Sequence, residues 1–205
     1  MRSALMLLAG LVSISLSGHA GTLALDITPN HANDVNNGHF SLGWEFTVNN
    51  PITVTALDYY ASNGVAVTQN HEVGIYDLFA NLLVSTTVLT TDPVIGTGGW
   101  ATHAVAPTLL APGTYVIAGA SHNNLYTYEP FVLSTIPEIT YVTDRSDSSD
   151  TLIFPTSSSV PARDASNSAW YGPSFEVSGS AVPEPSTVTL VMGGLALAAF
   201  RRRRR

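Results

Sequence analysis

The sequence predicts an all-β fold, an antiparallel β-sandwich of the jelly-roll or immunoglobulin-like type, flanked by an N-terminal signal helix and a short C-terminal hydrophobic helix. Apolar residues recur at every second position through much of the region between residues 23 and 177. Between the two termini, no window of about ten residues keeps the 3.6-residue apolar period of an amphipathic helix. Turn-forming residues interrupt this region at short intervals, which is typical of a sandwich of short strands.

The clearest alternation lies on both sides of the turn sequence Asn-Asn-Pro at residues 49–51. Before this turn, the segment LGWEFTV (residues 42–48) has an apolar residue at every second position, and after it ITVTA (residues 52–56) repeats the pattern with threonines between. No internal repeat is visible, so residues 21–178 are predicted to form one domain. The same criteria predict further strands at residues 73–77, 82–89, 101–106, 114–120, 126–133, 139–143 and 174–178.

Acidic residues dominate this domain. Residues 21–178 contain 14 of the 15 acidic residues but only two basic ones, Arg145 and Arg163, so their formal net charge is −12, against −7 for the whole chain. A surface of this charge repels phosphate backbones and anionic lipid headgroups, which excludes nucleic acid as a partner. It is compatible with solubility outside the cell, with divalent cations and with neutral glycans.

The chain contains no cysteine and no lysine. The absence of cysteine excludes disulfide bonds, thiolate catalysis and cysteine-ligated zinc. Without lysine, Schiff-base chemistry is excluded as well. A domain of about 160 residues buries roughly 70% of its unfolded surface, so we expect the core alone to hold it together.

The first twenty residues have the composition of a secretory signal peptide. Arg2 supplies the positive start, residues 4–16 form an apolar run, and Gly-His-Ala at 18–20 is a small-x-small cleavage site. We predict cleavage between Ala20 and Gly21. The alternative is an N-terminal anchor that is not cut.

The C-terminal region divides into an arm and a hydrophobic helix. Residues 179–187 are predicted to be a flexible arm, stiffened locally by Pro183 and Pro185. The uncharged stretch at residues 188–200 would span about 20 Å as a helix, against about 30 Å of membrane hydrocarbon. The basic residues that follow it are expected to stay on the cytoplasmic side; they are Arg201, Arg202, Arg203, Arg204 and Arg205.

This tail resembles the PEP-CTERM sorting signal of Gram-negative bacteria. The motif residues are Val182, Pro183, Glu184 and Pro185, and the hydrophobic helix and basic end follow in the expected order within residues 188–205. The resemblance implies recognition by an exosortase, a membrane-embedded transpeptidase-like enzyme, in bacteria that export polysaccharide. It further implies an inner-membrane intermediate that is later released to the cell surface or extracellular matrix. An ordinary C-terminal anchor is the alternative.

A second resemblance concerns the central region. Residues 38–130, with segments such as LGWEFTVNNPITVTALDYY and LLAPGTYVIAG, are similar to an uncharacterised β-sandwich module of exported bacterial proteins, some of them carbohydrate-active. These motifs are mostly strand and turn signals. The resemblance therefore implies the fold and supplies no catalytic residues.

Two kinds of ligand site are suggested by residue type. Three aspartates in TDRSDSSD could bind calcium, because calcium takes six to eight oxygen ligands from flexible loops; they are Asp144, Asp147 and Asp150. No other cofactor is predicted. The alternative is a solvated acidic loop, since the spacing of an EF-hand is missing and Arg145 lies within the cluster. Residues 146–168 are expected to form a long ordered loop over the sandwich.

Aromatic residues near strand ends suggest a glycan-binding surface for a neutral exopolysaccharide, because sugars stack on amphipathic rings. The candidates are Trp100, Tyr126, Tyr128, Trp170 and Tyr171. The alternative is that such rings fill the core or pair across strands.

Signals for catalysis are weak. The sequence has no G-x-S-x-G elbow, and its histidines form no metal-binding pair, so we expect surface or hydrogen-bonded strand-end histidines. The prediction is a non-enzymatic, exported surface or matrix protein. The alternatives are a carbohydrate-binding module and, third, a glycan-active enzyme that uses two of the many carboxylates.

Overall fold

The computed structural model describes residues 21–28, 34–62, 66–96, 99–128, 132–157 and 170–178. The predicted signal helix, the sorting motif and the C-terminal hydrophobic helix lie outside these residues. The described residues form fifteen strands: β1 Thr22–Leu23, β2 Leu25–Thr28, β3 Asp34–Val35, β4 Phe40–Val48, β5 Ile52–Tyr60, β6 His71–Asp77, β7 Leu82–Val88, β8 Val94–Ile95, β9 Trp100–Leu110, β10 Gly113–Ala120, β11 Tyr126–Tyr128, β12 Val132–Thr135, β13 Ile139–Ser148, β14 Trp170–Tyr171 and β15 Pro173–Val177.

Two five-stranded antiparallel sheets make up the sandwich. Sheet I has the strand order β1-β15-β5-β9-β8, and sheet II has the order β13-β4-β10-β6-β7. The consecutive strands β4 and β5 lie in different sheets, as do β9 and β10, so the chain repeatedly crosses the core. The predicted all-β antiparallel sandwich is confirmed.

The core between the sheets is built around Trp44 of sheet II. Its ring stacks on Phe175 of sheet I at a centroid distance of 5.8 Å, and Phe46 lies 5.1 Å from the same phenylalanine. All three side chains are fully buried. The indole N–H of Trp44 donates to the backbone carbonyl of Pro173 at 3.0 Å, so the only polar atom of this ring is satisfied across the sandwich.

The N-terminal segment covers part of sheet I. The Ser174 hydroxyl of β15 donates to the Leu25 carbonyl at 2.9 Å, and the Trp100 indole donates to the Asp26 carboxylate at 3.0 Å. Strand β2, which contains Leu25 and Asp26, pairs with β12, and a three-stranded sheet of order β14-β11-β3 completes this part of the molecule. Leu25 and Ile27 are fully buried as a result.

One predicted strand is wrong, and the loop predicted at residues 146–168 begins three residues too early; its residues 158–168 lie outside the described part of the chain. Residues 126–133 were expected to form a single strand, but they belong to β11 and β12, which lie in different sheets. The sequence has Pro130 between them, and proline cannot donate to a ladder. Strand β13 extends to Ser148, five residues beyond the predicted end, because it pairs with β4 along its full length around a bulge at Tyr141/Thr143.

Close backbone approach in sheet II requires glycine at position 43. A Cβ atom there would lie 1.8 Å from the carbonyl oxygen of Ile117 on the neighbouring strand β10. We expect Gly43→Ala to lower the free energy of unfolding by roughly 2 kcal/mol or more, because a backbone atom cannot move aside as a flexible side chain can. Urea denaturation of the purified protein measures this loss.

Gly113→Ala is the matched control, because the nearest atom to its Cβ would be the Tyr115 hydroxyl at 3.5 Å, an ordinary contact. Equal losses of stability in the two variants would contradict the backbone-contact explanation.

Candidate functional site

The aromatic residues predicted to bind glycan are mostly buried. The exposed fractions of Trp100, Tyr126 and Tyr171 are 0%, 2% and 1%. The Trp100 indole is bonded to Asp26, and the Tyr126 hydroxyl donates to the Asn37 side chain at 2.5 Å. The prediction of an exposed platform is therefore wrong for these three residues, because a buried ring cannot offer its face to a sugar.

The two remaining candidates are placed only by their backbones. Tyr128 on β11 pairs with Trp170 on β14, and their side chains lie outside the described part of the chain.

The three aspartates of the predicted calcium site are not gathered around one point. Asp144 is 2% exposed and, like Asp147, belongs to strand β13 rather than to a loop. The Asp147 carboxylate accepts hydrogen bonds from the Thr156 backbone at 2.6 Å, the Thr156 hydroxyl at 2.9 Å and the Ser157 hydroxyl at 2.8 Å. Its role in the described structure is to fix the segment that follows β13, and these bonds lower its pKa.

Asp150 lies in a different environment from the other two aspartates. It faces His39, with the carboxylate oxygen 2.5 Å from the imidazole Nδ1, and this hydrogen bond lowers the pKa of the carboxyl group. Among the described residues, no group of three or more histidine, aspartate or glutamate side chains has the arrangement of a metal site. The predicted calcium cluster is therefore not assembled.

A histidine–carboxylate cluster that sequence analysis did not identify lies at one end of sheet II. It consists of His39, His71, Glu72, His122 and Asp150. In an antiparallel sheet the starts of β4 and β6 meet the ends of β10 and β13, and these residues lie at or beside those four strand ends.

The outer part of this cluster is a chain of surface ion pairs. His122 places Nε2 against the Glu72 carboxylate and Nδ1 3.5 Å from Asp150, which also contacts His39. The Asp150 and Glu72 side chains are 69% and 44% exposed. Because water screens exposed pairs of this kind, they orient the loops more than they stabilise the fold.

The inner part of the cluster is His71, which is fully buried. Its Nδ1–H donates to the Ala120 carbonyl at 2.8 Å, and its Nε2 accepts from the Asn124 amide at 3.1 Å. Its ring is stacked on Tyr59 with a centroid distance of 3.7 Å. Burial lowers the pKa of His71 to about 4, so the ring is neutral at pH 7, and both nitrogens are already engaged. His71 is thus arranged as a structural residue rather than as a base or a metal ligand.

No local motif could have revealed this cluster, because its members come from four separate parts of the chain. The expectation of hydrogen-bonded histidines at strand ends is consistent with their positions. The spatial gathering depends on the strand order of sheet II.

A second buried ionisable group, Asp58, lies on β5 of sheet I. It is fully buried, and its Oδ1 accepts a hydrogen bond from the Thr102 hydroxyl of β9, while its Oδ2 has no partner among the described residues. Burial raises the pKa of Asp58 to about 8, although the Thr102 bond acts in the opposite direction. The carboxyl group is therefore predominantly protonated at pH 7.

Two shallow grooves of about 240 Å³ each lie near the cluster. One is lined by Asn37, Phe40, Leu42, Tyr126 and Ser146. The other is lined by Tyr60, Ala61, Ser62, Ala66, Val67, Thr68, Asn124 and Leu125. Neither lining contains a carboxylate, a histidine or an arginine, so both grooves offer apolar and neutral polar contacts rather than acid–base chemistry.

These features define an antiparallel β-sandwich with structural, hydrogen-bonded ionisable groups. Comparison with protein families places it more narrowly. Residues 26–172 match the family model described as Domain of unknown function (DUF4082), and the chain belongs to this family. Residues 181–205 match the PEP-CTERM protein-sorting motif. Comparison with curated proteins and with solved structures gives no significant match.

The sorting motif marks an exported protein that is directed to the cell surface and recognised by an exosortase. The part of the chain that the structure describes contains no helix of the length and apolar character needed to cross a membrane. The predicted hydrophobic helix at residues 188–200 and the arginine tail at 201–205 fall outside that part.

The buried carboxyl group predicts an unusual pH dependence. The folded-state pKa of Asp58 is raised above its unfolded value of 3.8, so its contribution to stability falls as pH rises from about 4 through 8. His71 has a lowered folded-state pKa, so its contribution falls as pH drops from about 6.5 to 4. Between pH 6.5 and 8, only Asp58 of these two acts.

We therefore expect the free energy of unfolding to decrease from pH 6.5 to 8, by up to about 1.4 kcal/mol per pH unit. In Asp58→Asn, whose amide stays neutral, this slope should be strongly reduced. Urea denaturation at several pH values measures both proteins, and identical slopes would contradict the role of Asp58.

Proposed function

We propose that an exosortase cleaves this protein within its PEP arm and that the β-sandwich acts as a non-enzymatic component of the cell surface or extracellular matrix. The observation that carries the proposal is the position of the sorting motif. It begins at residue 181, three residues after the described domain ends at residue 178. Cleavage in the arm would release the whole sandwich intact.

The route to the surface includes a transient stay in the inner membrane. The uncharged residues 188–200 would enter the bilayer. The terminal arginines would stay on its cytoplasmic side, because anionic lipid attracts them. A helix of about 20 Å is short for a permanent span of about 30 Å, which suits an intermediate that is later cut.

A non-enzymatic role is supported by the state of the ionisable groups. His71 has both nitrogens hydrogen-bonded, and Asp58 is enclosed in the sheet, so neither can transfer a proton to a substrate. Arg145 is paired with Glu45, and Asp92 with His103. These arrangements are those of structural ion pairs and buried polar groups.

The intact mass of the protein recovered from cells and medium tests this proposal. In the native host we expect a mature species that begins near Gly21 and lacks the five terminal arginines, whereas a strain without its exosortase should retain the tail. Glu184→Ala should also retain the tail, because the enzyme is expected to recognise the Pro-Glu-Pro motif. Thr187→Ala, a neighbouring substitution outside that motif, is the control. A full tail in the membrane fraction of both strains would identify an ordinary anchor instead.

Carbohydrate binding is the second candidate function, and the groove beside Phe40 favours it. The half-buried Phe40 offers the accessible ring of this groove, and the buried Tyr126 supports it edge to face at 6.0 Å, with its own hydroxyl fixed by Asn37. An accessible aromatic ring next to neutral amide and hydroxyl groups is typical of sugar-binding sites. The acidity of the domain favours a neutral exopolysaccharide over an acidic one.

Phe40→Ala should reduce retention on the host exopolysaccharide by about tenfold, equivalent to about 1.4 kcal/mol. The control is Leu109→Ala, which removes a 69%-exposed apolar side chain from β9 of sheet I. A polysaccharide pull-down measures both variants, and equal retention would exclude the groove. Release of new reducing ends during the assay would indicate a glycan-active enzyme.

A further inference from the structure

The two sheets end in four edge strands, and three of these are protected against pairing with another chain. Strands β1 and β8 at the edges of sheet I have two residues each. Strand β13 at one edge of sheet II contains a bulge and three charged residues, and its Ser146 forms a bridge with Ser157. Short length, charges, bulges and covering segments are the usual means of blocking edge-to-edge association.

The fourth edge, β7 of sheet II, lacks most of this protection. Its sequence LLVSTTV contains no charge, no proline and no glycine, and the stretch at residues 78–91 is entirely uncharged. Among the described residues, β7 pairs only with β6. A strand with one neighbour leaves a row of N–H and C=O groups directed outward. β-branched residues without charge are also the composition that favours strand pairing.

The geometry of β7 leaves a regular segment available for pairing. Its irregularity is confined to the start, where Tyr76 pairs with Leu82, while residues 84–88 pair in unbroken register with residues 71–75. Val84 packs against the core and Val88 is fully buried, whereas Ser85 is exposed. The inner face of β7 is therefore held by the core and its outer face is exposed. One of its two edges pairs with β6, and the other is left for a further strand.

The turn before β7 adds an apolar surface to this edge. The Asp77 carboxylate accepts hydrogen bonds from the backbone N–H of Phe79 at 2.8 Å and of Asn81 at 3.0 Å, which fixes the turn. The turn and the start of β7 expose four large apolar side chains; these are Leu78 at 49%, Phe79 at 87%, Leu82 at 48% and Leu83 at 40%. A fixed turn exposing this much apolar surface is typical of an interaction site.

We propose that β7 pairs with β7 of a second copy of this chain, antiparallel and related by a two-fold axis, so that sheet II continues from one copy into the other. Such pairing needs no second complementary surface, because one strand supplies both donors and acceptors. It also places the apolar turn of each copy, which precedes β7, beside the C-terminal end of the other copy's β7.

Charge identifies a second copy as the occupant. Each domain carries a formal net charge of −12, so two copies repel each other over most of their surfaces. They can approach closely where both contribute an uncharged surface, and the stretch at residues 78–91 provides one. A basic partner would instead be drawn to the acidic parts of the domain. This inference goes beyond the proposed function and does not depend on cleavage of the tail.

A lysine placed on the edge tests the pairing. Ser85→Lys should raise the concentration at which the exported protein dimerises by about tenfold or more, because edge lysines oppose strand addition. Thr140→Lys, on the exposed surface of the opposite edge strand β13, is the matched control and should leave dimerisation unchanged. Light scattering coupled to gel filtration measures the effect, and equal behaviour of both variants would overturn the proposal.

Cross-linking supplies an independent readout, because the chain has no native cysteine. In Ser85→Cys, a short bismaleimide added to cells should produce a covalent species of twice the monomer mass, with and without the exosortase. Thr140→Cys should not produce it. A cross-linked species of a different mass would show that another protein occupies the edge. Absence of any cross-link above the control would likewise overturn the proposal.

Discussion

The contact between Trp44 and Phe175 is the interaction on which the rest of the structure depends. Trp44 lies on β4 between β10 and β13, and Phe175 lies on β15 between β1 and β5, so their stacked rings join the interiors of the two sheets. Apolar contact alone does not fix how the sheets are aligned. The hydrogen bond from the Trp44 indole to the Pro173 carbonyl does constrain their alignment, because a hydrogen bond depends on angle as well as distance. In a chain without cysteine, no disulfide can share the task of holding the sheets together.

Burial of aromatic rings also explains why the rings near strand ends do not form an exposed sugar-binding surface. Trp100 needs a partner for its N–H when it is buried, and β2 brings Asp26 to it. Tyr126 is satisfied in the same way by Asn37. The segments before β4 thus complete the burial of side chains that sheet I and β11 would otherwise expose. Residue type alone cannot distinguish this outcome from a sugar platform, because an amphipathic ring suits both environments.

The sequence predicts the fold far better than it predicts the candidate site. The signals for strands are local in the sequence, whereas the site depends on contacts between distant residues. Strands β4 and β5 were predicted closely because the alternation of apolar and polar residues is a local consequence of burying one face. The extension of β13 was missed because pairing with β4, a long-range contact, recruits Asp144 and Asp147 into a strand whose own sequence is polar. The histidine–carboxylate cluster depends entirely on which strand ends adjoin, and no spacing along the chain encodes this order.

The net charge of the domain and the exposure of its edge strands together limit which partners it can bind outside the cell. Among the described aspartates, glutamates, histidines and arginines, the two fully buried ones are Asp58 and His71, and both are mainly neutral at pH 7, so the excess negative charge resides at other, more accessible positions. That charge keeps copies apart and repels polyanions. The stretch at residues 78–91 carries no charge, so repulsion is weaker where β7 meets β7 than where acidic surfaces face each other. Excess negative charge and an open edge strand can therefore coexist, because the charge limits general aggregation while the edge offers a place to pair.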